Sequence, residues 1–95
     1  MADKLEQRFP GHDAREIFDR LVAQLATVAK EYSLRLETDP GSLKGRVHRM
    51  GAVDVKFAVA EELLTADLDF GMLVPKSIRE KIRNELDQRL GGLFS

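Results

Sequence analysis

The sequence predicts an α+β domain, an antiparallel sheet of about five strands with two helices packed on one face, in the order β-α-β-β-β-β-α. Two observations carry this. Apolar residues recur at three- and four-residue steps in two segments, one near each end of the chain. Between those segments they alternate with polar ones. A sheet with one apolar face needs a cover, and two one-sided helices supply it. The 95 residues form a single domain, 1–95, with a modest core.

Taken in order, Lys4 to Phe9 alternates with Leu5, Gln7 and Phe9 on one side, a short strand stopped by Pro10-Gly11. Ala14, Ile17, Phe18, Leu21, Val22, Leu25, Val28, Ala29 and Tyr32 then mark one broad apolar helix face. Asp13 is its N-cap, with Glu16 placed for a capping box. Period two follows. Leu34 and Leu36 face in, and Asp39-Pro40-Gly41-Ser42 makes a turn. Leu43 to Arg49 is a strand weakened by Gly45, and Met50-Gly51-Ala52 turns tightly.

Val53, Val55, Phe57 and Val59 alternate with polar or small residues, as do Leu64, Ala66, Leu68 and Phe70. Parity sets their register. Pairing Val59 with Leu64 keeps both apolar sets inward. It also places Lys56 opposite Asp67, an expected ion pair. Asp54 then faces Asp69, which is unfavourable unless His48 or Arg46 intervenes. Gly71 ends the sheet, and Pro75 suits a first helical turn. Ile78, Ile82, Leu86 and Leu90 form a narrow stripe that Gly91-Gly92 terminates.

Composition excludes several functions. With 15 basic and 16 acidic side chains the net charge is −1, which argues against bulk-charge binding of nucleic acid or an anionic membrane. No cysteine means no disulfide, thiolate catalysis or cysteine zinc site. The lack of cysteine, of a signal-peptide layout and of a membrane-length apolar run suits a cytoplasmic protein. His12 and His48 read as surface histidines, with Asp54 the one candidate neighbour of His48. Asp67 and Asp69 share an outward strand face and read as solvated charge. Catalytic residues, cofactors and metals are not expected. Leu63, Met72, Leu73, Val74, Leu93 and Phe94 lie at element ends rather than in stripes, so they complete the core or form a contact patch. A homodimer follows if Leu63, Leu73 and Phe94 cluster outside.

The C-terminal third carries a likeness. Leu68-Asp69-Phe70-Gly71-Met72-Leu73-Val74-Pro75-Lys76, continuing through Ile78-Arg79-Glu80-Lys81-Ile82 to Glu85-Leu86-Asp87, resembles the polyhydroxyalkanoic acid system protein family. Asp13-Ala14-Arg15, Leu25-Ala26 and the Met50-Gly51 turn are similar too. The resemblance implies a non-enzymatic bacterial accessory protein whose partners are the polyester granule surface or granule proteins. It transfers no functional residue, because the shared positions are core, turn and helix-stop positions.

The alternative is an RNA- or ribosome-binding module of the strand–helix–meander–helix type. Its basic residues would be Lys44, Arg46, His48, Arg49 and Lys56 with those of the last helix, but no aromatic side chain alternates with them. A small-ligand carrier would need a cavity between sheet and helices. A core rich in Leu, Val and Phe is expected to fill it.

Overall fold

The computed structural model describes residues 2–94. Met1 and Ser95, the ends of the expected 1–95 domain, lie outside the described residues. Five antiparallel strands form one sheet: β1 (Ala2–Arg8), β2 (Arg35–Asp39), β3 (Lys44–Arg49), β4 (Val53–Ala60) and β5 (Leu63–Phe70). Helix α1 spans Ala14–Tyr32 and α2 spans Lys76–Gly91. The strand order is β1-β5-β4-β3-β2, so β2 to β5 form a meander and β1 closes its far edge against β5.

The register follows the parity argument. Val59 pairs with Leu64, Lys56 with Asp67 and Asp54 with Asp69. Leu5, Val47, Val53, Val55, Phe57, Val59, Leu64, Ala66, Leu68 and Phe70 are buried on the inward face. Ile17, Phe18, Leu21 and Leu25 of α1 and Leu86 and Leu90 of α2 join them in one cluster. No polar or charged side chain is buried among the described residues. Gln7 is the polar member of the inward set on β1, and the structure gives its reason. Its Nε2 donates to Asp87 Oδ1 of α2 at 2.7 Å, which ties the second helix to the edge strand.

Several local expectations change. Asp13 caps α1, accepting from the Glu16 backbone N–H at 2.8 Å. The reciprocal half of the capping box is absent, because the Glu16 carboxylate bonds the His12 ring instead. β3 starts at Lys44, not Leu43. Leu43 takes a left-handed conformation (φ 54°) that turns the chain, while its carbonyl accepts from Val59 N–H at 2.9 Å. Asp67 pairs with Lys4 of β1 at 3.8 Å rather than with Lys56, since β1 brings a lysine to its other side. Gly45 leaves room for a neighbour. A Cβ there would meet the Phe57 ring at 2.2 Å and the Glu37 carbonyl at 2.8 Å. The glycine that weakens the strand thus admits the ring that fills the core.

Candidate functional site

The two ends of the sheet differ in kind. At one end lie the β3–β4 turn, the β5–α2 connection, the end of α1 and the start of α2. At the other lie the β2–β3 and β4–β5 turns and the chain's last described residues. Among the described residues five large hydrophobic side chains are exposed, and all five sit at the first end. Met50, Met72 and Leu73 are 99 %, 101 % and 94 % exposed, and Tyr32 and Ile78 about half. This end is the apolar tip. The two turns that build it abut. Gly71 N–H donates to the Ala52 carbonyl at 2.9 Å, and a Cβ on Gly71 would lie 2.1 Å from the Gly51 carbonyl oxygen. Only glycine allows that approach, so Met50 and Met72 are carried on a joined platform rather than on two separate loops.

The six residues singled out from sequence divide between the ends. Met72 and Leu73 stand on the tip. Val74 follows them but packs on the core. Leu63 is half-buried at the opposite end, on the outer face beside Arg8. Leu93 is buried, and Phe94 closes the core from below. The Phe94 ring meets Phe9 edge-on at 5.3 Å, stacks on His12 at 3.8 Å and lies under the Arg20 guanidinium at 5.1 Å. Leu63, Leu73 and Phe94 therefore do not cluster, and the argument for a dimer built on them falls. Tyr32, Met50 and Ile78 belong to the tip and were not singled out. In the sequence Tyr32 and Ile78 are stripe residues and Met50 is a turn residue. An unpaired Met in a two- or three-residue turn was the available signal.

The outer sheet face carries charge of both signs in equal amounts, and part of it is internally paired, Lys4 with Asp67, Arg46 with Asp54 and His48 with Glu37. Arg46 donates Nε and Nη2 to the two oxygens of Asp54 at 2.8 and 2.7 Å. This bidentate pair relieves the Asp54–Asp69 apposition, and its hydrogen bonds hold the Asp54 carboxyl below the ordinary carboxylate range. His48 Nε2 bonds Glu37 at 2.9 Å, although the register sets it opposite Asp54. A shallow groove of about 300 Å³ runs past Arg46, His48, Asp54 and Asp69 to the Met50 turn. Among the described residues no group of three His, Cys, Asp or Glu side chains is placed to hold a metal ion. The aromatic rings are no stacking platform. Phe9, Phe18, Phe57 and Phe70 are buried, Phe94 packs on the core, and only Tyr32 is half exposed.

The helices are bridged by polar contacts next to the tip. Tyr32 Oη donates to the Glu85 carboxylate at 3.0 Å, and that bond with the adjacent charge pushes the phenol up from its ordinary value. Arg89 reaches Glu31 at 3.3 Å and Glu85 at 3.2 Å. No helix among the described residues is long and apolar enough to cross a membrane.

No family model, no curated protein and no solved structure matches this chain.

Proposed function

We propose that this chain is a non-enzymatic binding protein that acts through its apolar tip. Its partner on this reading is the surface of a polyester storage granule, where it serves as an accessory protein. One observation carries the proposal: every exposed large hydrophobic side chain among the described residues lies at the same end of the sheet. Isolated exposed apolar residues are ordinary, but five gathered at one end leave water-facing area that contact with an apolar surface removes. Fully burying a side chain of this size contributes about 1.5–3 kcal/mol. Two of the five are methionines, whose unbranched thioether side chains adapt to a surface without fixed pockets. The choice of polyester rests on the residue-level likeness of Leu68–Lys76 and the helix after it to polyhydroxyalkanoic acid system proteins.

The test is localisation of a fluorescently tagged chain in granule-forming cells, with adsorption to washed polyester particles beside it. The tagged chain is expected at granules, and Met72→Ser with Leu73→Ser is expected to release it. A uniformly diffuse signal from the unaltered chain sinks the reading. Granule binding that survives the double substitution removes the tip from it.

A further inference from the structure

Beside the tip the two helices part. Helix α1 lies over β2, β3 and β4, whereas α2 is docked toward β1. Their polar bridges, Tyr32 to Glu85 and Glu31 to Arg89, cross the gap between them without filling it. What remains is an apolar crevice of about 170 Å³, walled by Val28, Leu34, Val53, Ile82 and Leu86. The dense core was expected to leave no such space. The sheet side of the core is filled, and the opening lies where the broad stripe of α1 and the narrow stripe of α2 do not meet.

One cation stands at the edge of this crevice without an acidic partner. Arg49 is the last residue of β3, and its odd parity puts it on the helix side of the sheet with Val47. It lines the crevice. Its guanidinium donates a long bond, 3.5 Å, to the Tyr32 carbonyl. Among the described residues the ion pairs of arginine engage Arg15, Arg46, Arg83 and Arg89, and none engages Arg49. Arg89, also in the crevice wall, is already held by two carboxylates.

We propose that the crevice binds a short aliphatic monocarboxylate, with its chain among Val28, Val53, Ile82 and Leu86 and its carboxylate on Arg49. The volume limits the occupant. An apolar cavity of about 150 Å³ accommodates benzene, and drug-sized ligands need about 300 Å³ or more. The space therefore suits a chain of roughly six to eight carbons. The guanidinium supplies two parallel N–H donors matched to a carboxylate, so the anion is recognised by shape as well as charge. This site lies apart from Met72 and Leu73, which do not line it, and shares only Tyr32 with the tip.

Titration of the full chain with sodium octanoate, and separately with 1-octanol, followed through methyl resonances, tests the site. The expected result is a saturable shift of the Val28, Val53, Ile82 and Leu86 methyls, with octanoate binding about tenfold tighter than octanol, as one charge-assisted contact warrants. Arg49→Gln, an exposed substitution, is expected to remove that preference and leave octanol binding in place. Ile82→Phe, which fills the crevice, is expected to abolish both while the thermal melt stays cooperative. Absence of saturable shifts at the crevice methyls overturns the proposal. So does a response centred on Met72 and Leu73, or an octanoate preference that survives Arg49→Gln.

Discussion

Arg46 shows how one side chain reconciles a register with its charges. The inward pairing of β4 and β5 forces Asp54 to face Asp69. Arg46, on the neighbouring strand, occupies both Asp54 oxygens. Arg46→Gln is expected to destabilise the protein more than Asp54→Asn, because it exposes the two facing carboxylates whereas Asp54→Asn removes one of them. The effects are expected to be non-additive in a double-mutant cycle read by urea unfolding. The pH dependence has a definite sign. The folded Asp54 carboxyl is held below its ordinary value of 3.8, so its contribution is present above about pH 4 and is lost as pH falls through the folded value. The stability gap between the unaltered chain and Asp54→Asn is therefore expected to close below about pH 4. Gly45 gives a second residue-scale prediction. Gly45→Ala places a methyl against the Phe57 ring and a backbone carbonyl, neither free to withdraw, and is expected to cost about 1–3 kcal/mol by urea unfolding.

The two helices carry unequal shares of the fold. Ile17 and Leu21 of α1 are wholly buried, and its N-cap and left-handed C-cap at Ser33 are both satisfied. In α2 burial is confined to the C-terminal half, at Leu86 and Leu90, and the Pro75 N-cap makes no side-chain bond. The stripe of α2 is continuous in sequence, yet only part of it lies over the sheet. Leu90→Ala is expected to cost about 2–5 kcal/mol, and Ile78→Ala at most about 1 kcal/mol, although both belong to one stripe. Chemical denaturation of the two variants side by side measures the difference. Equal losses would mean that the first turns of α2 are as firmly docked as the last.

For the molecule as a whole, the contrast between the two ends matters most. At the end away from the tip, Leu93 and Phe94 fold back on Phe9, His12 and Arg20 and seal the core. At the tip no described residue covers Met50, Met72 or Leu73. Replacing Met72 and Leu73 together by serine is expected to leave the unfolding midpoint almost unchanged, within about 0.5 kcal/mol, while reducing adsorption to apolar particles. Adsorption and melting measured on the same preparations separate contact from folding. A large stability loss would make these two residues part of the core instead of a surface.

Much of this fold was legible in the sequence, because helix periodicity and strand parity are local properties. Nine apolar residues on one face determined α1, Pro75 and Gly91-Gly92 bracketed α2, and the inward sets of β4 and β5 determined their register down to Val59 opposite Leu64. The candidate site was legible only in part: Met72 and Leu73 stood out, while Leu93 and Phe94 looked the same to a reader of the sequence and proved to be core. Tertiary structure alone decided that β1 sits beside β5 and gives Asp67 its lysine, that Arg46 reaches Asp54, and that the crevice opens between the helices. Those outcomes depend on how far each helix overhangs the sheet and which chain end folds back. Such distances are set between elements far apart in the chain, where neither periodicity nor parity carries information.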